Sequence, residues 1–287
     1  MSTATIPGST RRRRPLAVVG AIGAALCGLI FLAPLLWALA SSLRPNDEVL
    51  RYLNPISLHT VFSTHPTLAN YWNLLRTPLG AATVNSLVVS AATVVIGLPV
   101  CALAAFALAA IPFPGRNAVF GIVVLSFLIP FDAIAIPLAD LFRGAALQNT
   151  FLGLILPGLG NGLAIFLLRQ FFLSVPTELV EAGRLDGLGW WGLFRQLYMP
   201  LSIPPLIGAS LTLFLFQWQS YVWPLLIGTD ATHTLGPIAL ANFQGQYSVD
   251  YGLLFAGAIV LTAIPLIIIL GFQRYFIQSA STSGLKD

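Results

Sequence analysis

Six long stretches of this chain are almost wholly apolar: residues 16–43, 81–110, 117–141, 149–173, 201–228 and 251–277. A hydrocarbon core of about 30 Å takes about 20 helical residues to cross, so each stretch is long enough to span with some tilt. A water-facing fold has no interior large enough for this surface, since 57% of the residues are hydrophobic and 8% are charged. Alternating strands of about ten residues, the mark of a transmembrane barrel, are absent from the sequence. The expected fold is an all-α polytopic membrane protein with about six transmembrane helices.

Basic residues set the expected orientation, because they accumulate on the cytoplasmic side. With a cytoplasmic N-terminus, the inner segments hold Arg11, Arg12, Arg13, Arg14, Arg116, Arg169, Arg184, Arg195, Arg274 and Lys286. The outer ones hold Arg44, Arg51, Arg76 and Arg143, a split of ten to four among 14. Both termini are then cytoplasmic, in a bacterial-type plasma membrane. The net charge of +4 reads as topology, with no nucleic-acid partner implied. The run from Arg11 and the stretch Ala38-Leu39-Ala40 also resemble a signal peptide, but the apolar stretch far exceeds the 7–15 residues of a signal core. Residues 1–15 read as a disordered basic tail, 16–278 as one membrane domain, and 279–287 as a C-terminal tail.

Several chemistries are disfavoured. Cys27 and Cys101 both fall within spans and read as small packing residues. His59, His65 and His233 lie in expected outer loops with no cysteine nearby, so no metal site is expected. Lys286 is the only lysine, which leaves no residue for a Walker A loop. Energised work would have to draw on another subunit or on an ion gradient.

The exception to the apolar pattern is "ELVEAGRLDGLGWWGLFRQLYMP", residues 178–200, with five charged side chains and four glycines between the fourth and fifth spans. Pro176 suits a helix start, and Glu178 and Glu181 favour the positive end of the helix dipole. At 100° per residue, Leu179, Ala182, Gly183 and Gly187 share one face of small side chains. Glu178, Glu181, Arg184 and Leu185 take the other, with Glu181 and Arg184 paired at i,i+3. Gly187 and Gly189 end this helix, a second runs from Trp190 to Tyr198, and Pro200 bounds it. Two readings fit: a helix–turn–helix that docks in the cleft of a soluble partner, or an amphipathic linker anchored on headgroups by Trp190 and Trp191.

The pattern Glu181-Ala182-Gly183, then Asp186-Gly187, then Phe194 and Pro200, resembles the loop signature of permease subunits in binding-protein-dependent ABC importers. Gly183 stands for the second alanine and Met199 for the leucine before the proline. "NSLVVSAATV" from Asn85, "FPGR" from Phe113, "IPLADLFRGAALQNTFLGLILP", "IFLLRQFFLSVPTELVEA" and "WQSYVWPL" from Trp218 extend the resemblance to carbohydrate-type importers, like the second permease of maltose systems. It covers roughly residues 16–287.

That resemblance implies a sugar-import permease with no catalytic chemistry and no cofactor of its own. ATP and Mg would be bound by two partner ATPase subunits, and a second permease and an extracytoplasmic sugar-binding protein would complete the complex. The loop at 174–200 would be the coupling helix, with Glu181, Ala182, Gly183, Asp186 and Gly187 in contact with an ATPase. Lys286 would give the tail a second such contact, or else the tail is a solvated end. The segments 44–80 and 229–250 would face the binding protein. For the solute path, Gln217, Trp218, Gln219 and Tyr221 combine hydrogen-bonding groups with aromatic faces, and Gln217 and Tyr221 share a face at i,i+4. Trp218 and Trp223 equally suit an interfacial aromatic belt. Asp132, costly within a span, either lines the cavity or caps a helix break beside Pro130 and Pro137. Asp140 and Arg143 read as an i,i+3 pair. The rivals are an ion-coupled secondary transporter, which would show more buried ionisable groups, and an intramembrane enzyme, which would need a base within a span.

Overall fold

The structure is a computed structural model that describes residues 13–51, 63, 65–243 and 249–283, with side chains from 20 to 273 within those ranges. Most of the basic tail, His59 and Lys286 lie outside the described residues. Among the described residues the elements are helices and turns, in two compact units.

The first unit comprises residues 1–72 and 250–259. It contains α1 (Arg13–Ser42), α2 (Asn46–Arg51), most of α3 (Ala69–Leu74) and the start of α15 (Tyr251–Ser283). Asn70 ties the end of α1 to α3, its Nδ2 donating to the carbonyls of Ser42 (2.8 Å) and Arg44 (2.7 Å). Trp37 meets Phe255 edge-on at 4.9 Å between centroids.

The second unit is built on α4 (Pro78–Ala110), a 33-residue helix with Pro78 in its first turn. Ser86, Ser90, Thr93, Gly97, Cys101 and Ala105 are buried along one stripe of it. Small residues at helical spacing let neighbouring backbones approach, the usual basis of helix association in membranes. Along α4 pack α8 (Gly162–Leu173) and α12 (Ile203–Trp218). At its end α4 leaves carbonyls without intrahelical partners, and two arginines meet them. Arg169 Nε donates to Leu108 O at 3.1 Å and Arg116 Nη1 to Ala109 O at 3.3 Å. The Arg169 guanidinium also lies 3.7 Å over the Phe120 ring. Residues read from sequence only as topology markers thus close a helix end.

Among the described residues three single helices are long and apolar enough to cross a membrane: Gly20–Ser42, Pro78–Ala110 and Tyr251–Gln273. The other three expected spans, 117–141, 149–173 and 201–228, are not single helices but hold bent pairs or parts of them, the first with its break beside Pro130, one of the two alternatives the sequence leaves open. In the third, α5 (Arg116–Leu128) and α6 (Phe131–Gly144) meet at 98°. The cause is local. Ile129 precedes Pro130, and the proline ring disfavours helical backbone before it, so Ile129 sits extended at ψ 121°.

In the fourth, α7 (Phe151–Ile155) and a tight turn at Leu156–Gly158 bend 41° into α8. Asn161 caps α8 by accepting the Ala164 N–H at 3.0 Å. Glycines let this break pack closely. A Cβ on Gly158 would lie 2.9 Å from Gln217 Oε1, and one on Gly162 2.9 Å from Ser126 Oγ.

Before the fifth, α9 (Thr177–Leu185) leads to an arm made of α10 (Trp190–Leu193), a π-helical turn at Phe194–Tyr198 and α11 (Met199–Leu201). The arm meets α12 at 85°. Pro200 lies inside this arm, so the boundary expected there falls instead at Ser202, whose Oγ donates to Tyr198 O at 2.5 Å. After α12 come α13 (Val222–Ile227) and α14 (Gly236–Ala241).

Candidate functional site

α9 carries the charged segment and ends in a Schellman turn. Gly187 N–H donates to Arg184 O at 3.0 Å and Leu188 N–H to Gly183 O at 2.9 Å, with Gly187 left-handed at φ +84°. Glu178, Leu179, Glu181, Ala182, Arg184, Leu185, Asp186 and Gly187 are exposed, whereas Val180 and Gly183 turn toward the chain's own core. The expected small-residue face is therefore split. A Cβ on Gly183 would meet Leu193 Cδ2 at 2.9 Å, so the space at Gly183 is already filled from within the chain by α10. Leu179, Ala182 and Gly187 remain on the surface.

The Glu181–Arg184 pair is also absent among the described residues. The Arg184 guanidinium instead lies 4.2 Å over the Trp190 ring, a cation–π contact that ties α9 to the arm. Sequence reasoning placed Leu185 with the charged residues and gave it no role. It is 89% exposed, and Trp191 is 64% exposed. Only a helix-by-helix exposure pattern shows Leu185 as a projecting apolar knob.

Beneath this surface sits an aromatic cluster. Phe106 of α4 contacts Phe194 at 5.2 Å and Tyr198 at 5.0 Å between centroids, and Tyr198 contacts Phe172 of α8 at 5.4 Å. The two tyrosine contacts are edge-on and the Phe106–Phe194 contact is tilted, packing that is directional as well as apolar. Residues 178–201 are thereby joined to two spanning elements.

The residues singled out near the end of the fifth span separate. Gln217 is 3% exposed, its Nε2 donating to Leu154 O at 3.4 Å. Trp218 is buried, stacked on Phe214 at 5.5 Å, and donates to Leu261 O at 3.1 Å. Gln219 and Tyr221 are exposed. The helix is interrupted between Trp218 and Val222, so Gln217 and Tyr221 do not share a helical face. Trp223 is no interfacial anchor either. It is buried between Phe131 and Phe142, with its ring N–H donating to Gly153 O at 3.1 Å. Asp132 lies exposed in the first turn of α6, just past the 98° break, where the dipole favours a carboxylate. Asp140 and Arg143 do pair, at 2.6 Å.

A compact polar turn closes the end of this unit beyond α13. Asn149, left-handed at φ +55°, accepts the N–H groups of Thr229 (2.7 Å) and Asp230 (3.2 Å) on its Oδ1. Asn85 Nδ2 donates to the carbonyls of Thr232 and Thr234. Asp230 accepts the His233 backbone N–H and contacts its ring Nδ1, both at 2.8 Å. Partial desolvation pushes the Asp230 carboxyl up, but the His233 and Thr232 hydrogen bonds together outweigh it and hold the group below its ordinary value.

Residues 97–282 match the family model described as binding-protein-dependent transport system inner membrane component. The chain belongs to that family. It is 33% identical, over 92% of its length and 95% of the relative's, to the arabinooligosaccharides transport system permease protein AraQ of Halalkalibacterium halodurans. It is 31% identical, over 89% and 92%, to the trehalose transport system permease protein SugB of Mycobacterium tuberculosis. A solved bacterial ABC transporter involved in the import of the acidic polysaccharide alginate superposes on 94% of this chain and all of its own, at TM-score 0.79 and 21% identity, which shows a shared fold. The chain is thus an all-α multi-pass membrane permease of a binding-protein-dependent transport system. That membership favours it over the ion-coupled transporter and the intramembrane enzyme.

Proposed function

We propose that this permease imports a sugar or sugar-like solute, forming the translocation path with a second permease. The carrying observation is its family membership together with the permeases of arabinooligosaccharide and trehalose systems that match nearly its whole length. Two cytoplasmic ATPase subunits bind ATP and Mg and supply the energy, this chain holds no nucleotide, and an extracytoplasmic binding protein delivers the solute. Residues 178–201 then face the cytoplasm, as the basic-residue distribution favours, and both termini lie on that side.

In this reading α9 is the coupling helix. Glu181, Ala182, Asp186 and Gly187 contact an ATPase groove, with Leu185 as an apolar knob added from its exposure. Gly183 acts one layer down, by letting α10 press against α9. On the solute path, Asp132, Gln219 and Tyr221 offer exposed groups, while Gln217 and Trp218 hold the wall in place.

The test is co-purification in mild detergent of this chain expressed with its neighbouring genes, for wild type and for Gly187→Trp. The reading expects an ATPase with wild type, lost or weakened at least 10-fold in the variant, and sugar-stimulated ATP hydrolysis by the wild-type complex. Absence of any ATPase from the wild-type preparation would sink it.

A further inference from the structure

The turn that joins α4 to α5, residues 112–118, forms an open cup of about 550 Å³. At 33 residues α4 is about 50 Å long, more than the roughly 40–45 Å of a bilayer with its headgroups. The turn after it therefore lies at the membrane surface. Gly115, left-handed at φ +80°, folds the chain back with nothing within 4 Å of its Cβ position. The cup is at the same end of the unit as α9, because Ile111, Val180 and Trp190 pack on one apolar cluster.

Charge at this end is unbalanced. Arg116 and Arg169 hold neighbouring carbonyls of the α4 terminus, while α4, α5 and α8 contain no Asp or Glu. Among the described residues no carboxylate pairs with either guanidinium. The helix terminus offsets about half a charge, against two cations. Arg116 lines the cup, and beyond its bond to Ala109 O its guanidinium donates to no other described residue. An apolar stripe starts three residues further on: Val119, Ile122 and Leu125 follow at helical spacing, all exposed. No residue of α5 is buried within the chain. Leu125 lies about 14 Å along the helix from Arg116, close to one leaflet's hydrocarbon depth of about 15 Å.

We propose that the 112–118 turn and the outer face of α5 bind an anionic phospholipid, its phosphate against Arg116 and its acyl chains along Val119, Ile122 and Leu125. The inference goes beyond the import reading and needs only the membrane-spanning fold. Basic pockets between spanning helices suit anionic headgroups. A zwitterionic lipid would bring its own ammonium to a site that already holds two cations, so a net negative headgroup is the better complement. Protein is the competing occupant. A soluble ATPase could meet Arg116 but not Ile122 and Leu125, which lie at membrane depth. A second permease could cover the stripe, but would have to bring a carboxylate to the arginines. One anionic lipid satisfies both ends at once.

The experiment uses the full chain, purified in mild detergent with whatever subunits accompany it and placed in phosphatidylcholine nanodiscs. The nanodiscs carry a trace of phosphatidylglycerol or phosphatidylcholine with the same photoreactive acyl chain, and adducts are mapped by mass spectrometry. Phosphatidylglycerol is expected to label residues 112–125 at least 5-fold more than phosphatidylcholine does. Unlabelled phosphatidylglycerol should remove that label, and inorganic phosphate should not. Arg116→Gln should cut it about 5-fold, the loss of one basic residue at an anionic surface, and Arg116→Lys should keep most of it. The comparison of the two lipids in wild type decides the matter even if Arg116→Gln does not fold. Equal labelling by both lipids reduces the site to ordinary bilayer contact and overturns the proposal. Absence of label from both gives the face to a protein partner, and competition by inorganic phosphate gives the cup to a free anion. Full labelling of a folded Arg116→Gln removes the charge from the account. None of these outcomes touches the import reading, which the ATPase co-purification tests separately.

Discussion

Residues 174–201 and the walls of a cavity between the breaks of the third and fourth spans are opposite solutions to placing polar groups in an apolar protein. The first gathers charge at a surface: Glu178, Glu181, Arg184 and Asp186 are exposed on α9, over a core of aromatic rings. The second has no charge at all and draws its polarity from Ser126, Asn161, Thr212 and two interruptions of the helical backbone. Charge at membrane depth is expensive, whereas a hydroxyl that bonds its own helix costs little and still accepts. The exposed surface carries charge, and the cavity wall keeps to hydroxyls, an amide and backbone.

The two regions also differ in how tightly their backbone is packed, and two glycines test that difference most sharply. In the packed region, a Cβ on Gly153 would overlap the Leu147 carbonyl, which is backbone and has no rotamer to escape into. Gly153→Ala is expected to abolish recovery of monodisperse protein in size-exclusion chromatography. Gly189, at φ −73° with nothing near its Cβ position, should accept Gly189→Ala with full recovery. Equal tolerance at both sites would erase the distinction between a packed and an open region.

Next in size is Leu185→Glu. It removes the apolar knob without touching the fold, so binding-protein-stimulated ATP hydrolysis should fall at least 10-fold while the thermal midpoint stays unchanged. A drop in both would show that Leu185 supports the fold.

A smaller effect is expected at Trp223→Phe, which keeps the ring packing and deletes the donor to Gly153 O. The cost is about 1 kcal/mol, read as a lower midpoint in thermal unfolding, with residues 178–201 protected from proteolysis as before.

The smallest concerns Asp230. Its carboxyl is held below its ordinary value of about 3.9, so the ionised form stabilises the turn above that value. The stabilisation is lost as pH falls through the depressed folded value. Hydrogen exchange at the His233 amide should be a few-fold faster in Asp230→Asn than in wild type at pH 7, with the gap closing in strong acid. A gap that persists there would assign the effect to shape rather than charge.

Much of this was legible before any coordinates. Among the described residues the apolar runs hold three helices long and apolar enough to cross a membrane and parts of three bent pairs, and Pro176 and Gly187 bracket α9. What stayed hidden has physical reasons. A helix break beside Pro130 is one of the two readings the sequence offers for Asp132, but its 98° bend lies within an unbroken apolar run that hydropathy passes over. The break after Trp218 carries neither glycine nor proline at Gln219–Tyr221, and the i,i+4 pairing of Gln217 with Tyr221 was therefore drawn on a helix that does not continue. Gly183 faced the wrong way in the sequence reading because its neighbour, Leu193, is brought to it by the turn at Gly187. Trp218 and Trp223 look alike whether at a headgroup or in a core, and only their carbonyl partners separate the two.

The 85° corner at Ser202 turns the segment around it into a bell crank. Its shorter limb, Trp190–Leu201, is about 18 Å long, and its longer one, Ile203–Trp218, about 24 Å, at roughly 1.5 Å per residue. Were the two limbs to turn as one rigid piece about that corner, which the Ser202 hydroxyl braces against Tyr198 O, displacement at the far end of the long limb would exceed that at the end of the short one by about 1.3 times, the ratio of their lengths.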